Sequence, residues 1–171
     1  MKLDIKLSVE RRLGDPLIKI IIDDYLTLAD GAAQDSYHFD VNIPNDTHEL
    51  KIVHYGKRAR DHAYNEQGQV IIDKHVEITG IVLDDVPLEA ELWQGKFFPV
   101  YLHRADNEPV SICPNLYLGH NGTWMLEFST PAALWLIDRR RHGPKLSNTI
   151  FKSNRQVLDS AKNFFSNLPD V

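Results

Sequence analysis

Strict alternation of apolar and polar side chains runs through the first half of this chain. That pattern buries one face of a strand and wets the other, so it narrows the fold to β architectures before anything else is considered. Leu3, Ile5, Leu7 and Val9 alternate with Asp4, Lys6, Ser8 and Glu10. Gly14, Asp15 and Pro16 then supply turn chemistry ahead of an apolar run over 17–28, where Ile20, Ile21 and Ile22 in succession predict a strand covered on both faces. Asp30-Gly31 reads as the break in that run. Tyr37, Phe39, Val41 and Ile43 alternate up to Pro44-Asn45-Asp46, and a further strand is predicted from His48 to Tyr55. A polar loop occupies 56–68, the pattern resumes from Val70 to Ile81, and Asp84-Asp85 reads as a hairpin turn. Leu88, Ala90 and Leu92 close a β region of about seven strands.

Beyond Gly95 the pattern changes. Phe97-Phe98-Pro99-Val100-Tyr101 carries a proline and suits an edge or covering segment. Asn121-Gly122 stands between Tyr117 and the alternating Trp124, Leu126 and Phe128, the strongest short-range hairpin signal in the chain, with Trp124 assigned to the core. Thr130-Pro131 offers an N-cap and a first-turn proline, Arg139, Arg140 and Arg141 complement the carboxyl end of a helix dipole, and Gly143-Pro144 stops that helix. Ser153 or Asn154 caps a second helix with Val157, Leu158, Ala161, Phe164, Phe165 and Leu168 along one face. The expected fold is mainly β: a jelly-roll-like antiparallel β-sandwich domain over 1–130, with two C-terminal helices forming an appendage over 131–171 packed on the same domain.

At 171 residues the chain is about one domain long. Its 19 Lys and Arg against 24 Asp and Glu give a net charge of −5, which argues against general capture of nucleic acid or anionic membrane. A single cysteine, Cys113, excludes an internal disulfide. Residues 1–10 lack the apolar centre of a signal peptide, and no run of about 18 apolar residues suggests a membrane span.

Eight histidines invite a search for catalytic and metal motifs, yet H-E-x-x-H, C-x-x-C, a P-loop and G-x-S-x-G are all missing. Cys113, in Ser111-Ile112-Cys113-Pro114, reads as a buried, inert thiol. Asp23-Asp24 and Asp84-Asp85 read as turn acids, because adjacent strand residues face opposite ways and cannot flank one bond. Calcium is the candidate cofactor, since a flexible loop offering Asp61, Asn65 and Glu66, followed by Asp73, carries the oxygen ligands it takes. Lys57, Arg58 and Arg60 lie beside Tyr55 and Tyr64, and aromatics interleaved with cations stack sugar rings as well as bases. The acidic total favours sugar.

The stretch L-K-I-V-H-Y-G-K-R-A-R-D-H-A-Y-N-E-Q-G-Q-V-I-I-D-K-H-V-E-I-T-G-I-V-L-D-D-V, residues 50–86, resembles calcium-dependent xylan-binding carbohydrate-binding modules. With L-Y-L-G-H-N-G-T-W-M-L-E-F-S-T-P, residues 116–131, the chain is also similar to sandwich domains in virion proteins of tailed bacteriophages. The resemblance implies a β-sandwich binding or structural module without an active site. Within it Asp61 and Asp73 match metal positions, while His54-Tyr55 stands where the family carries an Asn-Asp pair.

The leading expectation is therefore a non-enzymatic, lectin-like structural or adhesion component of a virion, of the tail, fibre or neck type, with carbohydrate as its candidate ligand. Tyr55, Tyr64 and Trp93 are the candidate sugar-stacking residues, and Asp61 and Asp73 the candidate metal ligands. Partners would be other virion proteins or symmetry copies and a glycan, with neither nucleic acid nor membrane, in a virion or otherwise in the cytoplasm. Alternatives are a free-standing carbohydrate-binding module, a small β-rich hydrolase using His54, Asp61 and His75, and an assembly protein docking through the face from Val157 to Leu168.

Overall fold

In the computed structural model, which describes residues 1–58, 60–100 and 110–142, the alternating segments form two antiparallel sheets. The strands run β1 (Lys2–Val9), β2 (Leu17–Ile22), β3 (Leu26–Ala32), β4 (Ser36–Asp40), β5 (Thr47–Tyr55), β6 (His62–Tyr64), β7 (Val70–Asp73), β8 (Val76–Leu83), β9 (Val86–Pro87), β10 (Lys96–Pro99), β11 (Tyr117–Leu118) and β12 (Gly122–Ser129). A short 3₁₀ turn, Glu91–Gln94, precedes β10, and one α-helix, α1 (Ala132–His142), follows β12. One sheet has the order β11-β8-β1-β4, with β9 paired to β8; the other has the order β10-β12-β5-β2-β3; β6 and β7 form a separate hairpin.

Both sheets turn their apolar faces to one core. Leu3, Ile5 and Leu7 of β1 and Ile78, Ile81 and Leu83 of β8 meet Ile18, Ile20 and Ile22 of β2, Leu50 and Ile52 of β5, and Trp124, Leu126 and Phe128 of β12. Each large side chain so buried contributes about 1.5–3 kcal/mol by leaving water, which makes this cluster the main source of stability in a chain without a disulfide. The outer face of β2 is not covered, contrary to the reading of its isoleucine run: Lys19 and Ile21 are half-buried, and Leu17 is exposed.

Turns depart from the expectations in instructive ways. Asp84-Asp85 does make a two-residue hairpin loop, with φ of +47° and +63° and Leu83 paired to Val86. Short acidic side chains tolerate that left-handed region, and the primed turn matches the twist of the strands. The run over 17–28 breaks at Asp23-Asp24, with φ of +52° and +62°, while Asp30-Gly31 lies inside β3. Asn121-Gly122 is not a hairpin turn. Tyr117 and Leu118 pair with β8 in one sheet and Gly122 begins β12 in the other, so these residues carry the chain between sheets. Gly122 is there for space, since a Cβ would lie 2.5 Å from the Phe98 carbonyl oxygen and 2.8 Å from the Phe97 ring.

Phe97 and Phe98 sit on β10, an edge strand, as the proline predicts. Thr130 does not spend its hydroxyl on the helix. Its Oγ1 donates to the Pro44 carbonyl at 2.8 Å and accepts from the Asp46 N–H at 3.2 Å, tying the start of α1 to the turn before β5. Of the two expected C-terminal helices, α1 alone falls among the described residues, and the second, with the face from Val157 to Leu168, lies outside them. By its internal contacts the chain divides into residues 1–136 and 137–171, and the division falls within α1.

Candidate functional site

Gly56 opens the site. The chain leaves β5 there at a φ of +74°, and a Cβ would press to 3.1 Å from Leu17 Cδ1, so glycine both permits the turn and lets Leu17 close against it. The segment that follows, up to Lys74, is held from two sides. Asp73 and Lys74 are neighbours at the end of β7, and side chains at successive extended positions face opposite ways. Asp73 therefore serves one cluster and Lys74 another.

On the Asp73 side, Lys57 donates to the Asp73 carboxylate and to the Gly119 carbonyl, with its side chain only 4% exposed. Tyr117 donates its phenol to Asp73 Oδ2 at 2.7 Å, and His62 Nδ1 lies 2.6 Å from Oδ1, close but out of line for a hydrogen bond. Burial pushes the Asp73 carboxyl up, but the Lys57 and Tyr117 hydrogen bonds outweigh it and hold the group below the usual carboxylate range. The Tyr117 phenol is raised by burial and by Asp73. Asn121 completes the brace: its Oδ1 accepts from the Lys57 N–H and its Nδ2 donates to the Lys57 carbonyl, both at 2.8 Å. His75 donates from Nδ1 to the Asp73 carbonyl at 2.8 Å and lies against the Tyr117 ring. His54 is buried, donates from Nδ1 to the His120 carbonyl at 3.0 Å, and has its pKa lowered by that burial.

On the Lys74 side lies a cleft of about 200 Å³. Tyr55, Leu17 and Gly56 line it together with Asp15, Arg58, Arg60, Asp61 and Lys74, and its surface is mostly polar. The Tyr55 phenol donates to Asp30 Oδ1 at 2.6 Å, which fixes the ring. Asp61 Oδ2 accepts from the Arg58 N–H at 3.0 Å and lies 3.3 Å from Lys74 Nζ. The Arg58 backbone bond leads, with Lys74 adding to it, in lowering the Asp61 pKa against burial. The loop is thus built to present these groups rather than to coil freely.

Of the sequence-predicted residues, Tyr55 and Asp61 come together in this cleft. Tyr64, at the end of β6, and Trp93, on the 3₁₀ turn, are both more than half exposed and do not line it. Asp61 and Asp73 belong to different clusters, each with a lysine partner, and among the described residues no group of three or more His, Cys, Asp or Glu is placed to hold a metal ion. His54, Asp61 and His75 bond to His120, to Arg58 and Lys74, and to Asp73 respectively, so they share no hydrogen bond. Cys113 is exposed, not buried as its sequence surroundings suggest, because β10 is bridged by Ile112 and the next residues turn away. The basic run splits: Lys57 is drawn inward by Asp73 while Arg58 and Arg60 remain exposed. Sequence reading missed Leu17, Asp15 and Lys74, whose only signals were a turn some forty residues upstream (Gly14-Asp15-Pro16) and the strand phase at Asp73-Lys74.

No protein-family model and no curated protein matches this chain. A solved structure described as vCBM60 in complex with galactobiose is similar to it over 75% of this chain and 98% of that one, at 15% identity and a TM-score of 0.46.

Proposed function

We propose that this protein is a non-catalytic binding module that holds one sugar unit of a glycan in the cleft beside β5. The observation that carries this reading is the make-up of the cleft: Tyr55, its phenol tied to Asp30, and Leu17 line it together with five charged side chains, Arg58, Arg60, Asp61 and Lys74 from the segment after β5 and Asp15 from the turn before β2. A pyranose offers the complement, with C–H faces for the ring and hydroxyls for the charged groups. The volume of about 200 Å³ is below the roughly 300–1,000 Å³ of sites for drug-sized ligands, which suits a single ring of a chain rather than an enclosed oligomer. Tyr55 takes the stacking role, and Arg58, Arg60 and Asp61 the hydroxyl-directed one. Tyr64 and Trp93 receive no role in this cleft. Neither the fold nor the comparisons bear on a virion setting, and the reading is confined to ligand binding.

A glycan array probed with the purified protein, in calcium and in chelator, tests it. Binding that survives the chelator and falls about fivefold or more in Tyr55→Ala is the expected result, since losing a stacked aromatic platform costs about 1–3 kcal/mol. Binding that vanishes in chelator would show a metal-dependent site and overturn the metal-free reading of the cleft. No binding in either condition would end the glycan reading.

A further inference from the structure

Resting on the glycan reading, we infer that the cleft selects an acidic sugar, a uronic-acid unit whose carboxylate is taken by Arg58 and Arg60. The charges of the cleft do not cancel. Asp15 lines the cleft, with its nearest cation Arg11 Nε at 3.7 Å on a guanidinium that Asp35 also holds at 2.9 Å, and Asp61 is matched by Lys74 at 3.3 Å, so three cations face two carboxylates. The excess positive charge sits on Arg58 and Arg60, both exposed and neither hydrogen-bonded or ion-paired through its side chain among the described residues. Arg60 contributes only a longer-range pull on Asp61. Asp61, in the same cleft, already accepts from the Arg58 backbone N–H and from Lys74.

The asymmetry has a structural origin. In the same basic run, Lys57 is spent on Asp73 and Gly119 on the far side of the segment, and the loop is pinned there by Asn121. Pinning holds Arg58 and Arg60 toward the cleft in a chain whose overall charge is −5. A guanidinium binds a carboxylate through two parallel N–H donors, a geometry that a neutral hydroxymethyl group cannot match. Tyr55 then faces the ring that bears the carboxylate, which separates a sugar acid from a bare anion.

The test uses matched ligands. Polygalacturonate, alginate and hyaluronan are each compared with their carboxyl-reduced, neutral counterparts, in chelator, by titration of the full-length protein. The expected result is at least one acidic polymer bound about tenfold or more tighter than its reduced form, with that preference lost in Arg58→Gln/Arg60→Gln and weakened by salt. Unchanged melting of the double variant shows that the fold is intact. Equal binding of acidic and reduced polymers overturns the acidic selectivity and leaves the glycan reading standing. Failure to bind any polymer, acidic or neutral, overturns both. Displacement of a bound acidic polymer by equimolar inorganic phosphate, or loss of preference against dextran sulfate, shows a general anion site and overturns the uronate assignment.

Discussion

His48 shows how much a single buried polar residue decides. Its Nδ1 lies 2.6 Å from Asp23 Oδ2 and its Nε2 2.9 Å from the Pro44 carbonyl, and both partners are acceptors, so both ring nitrogens must donate and the ring carries a charge. Burial works against that charge, yet the hydrogen bonds from Asp23 and Pro44 prevail and raise the His48 pKa above 6.5. The Asp23 carboxyl is held below 3.8 because its bonds to His48 and the Glu49 N–H outweigh burial. A raised histidine stabilises the fold fully below its unfolded value and loses that contribution as pH climbs through its folded value; a lowered carboxylate does so above its unfolded value and fails as pH falls. The pair therefore contributes most between about pH 4 and 6.5. Urea denaturation of the wild type and His48→Gln across pH 4–9 should show a gap in stability that is widest near pH 5 and narrows above pH 7; a gap that widens with pH would refute the charged assignment. His54, whose pKa burial lowers, pulls the other way in both proteins and cancels in the difference. Gly122 is a second decisive position. Gly122→Ala should lose about 1–3 kcal/mol, the usual cost of overpacking, because the nearest atom, the Phe98 carbonyl oxygen, belongs to the backbone of β10 and cannot step aside.

The element that most shapes the surface is the segment joining β5 to β8. Its hairpin, β6 and β7, belongs to neither sheet; Lys57–Asp73 and Asp61–Lys74 tie the segment across itself, and contacts of Lys57 and Asp73 with Gly119, Tyr117 and Asn121 tie it to the rest of the fold. Removing one partner of a buried pair strands the other charge, and Lys57→Met should cost about 3–5 kcal/mol and speed amide exchange across 61–74. A variant as stable as the wild type would show the brace to be incidental. Local chemistry made some elements readable from sequence. Alternation placed β1, β4, β5 and β12, and acid pairs marked tight turns because aspartate tolerates positive φ. Asn121-Gly122 misled for a physical reason: its asparagine binds the Lys57 backbone and its glycine makes room for β10, neither of which a turn signal encodes. The cleft was only half legible. Tyr55, Arg58, Arg60 and Asp61 are close in sequence, but Asp15, Leu17 and Lys74 reach them only through the pairing of β2 with β5 and the phase of β7.

Among the described residues, two sheets share one apolar core, and five charged side chains line one cleft beside β5. A chain with net charge −5 thus presents a cleft whose exposed, unpaired groups are cationic. That separation of total charge from local charge is why composition alone argued against polyanions in general without excluding one acidic sugar in one place. Amide shift mapping of the isotope-labelled protein during titration with the tightest-binding array glycan tests the site most directly. Saturable shifts should centre on Gly56, Arg58, Asp61 and Lys74 and leave Tyr64 and Trp93 unmoved. Shifts centred on Trp93 or on the β6–β7 hairpin, with the cleft unchanged, would contradict the assignment.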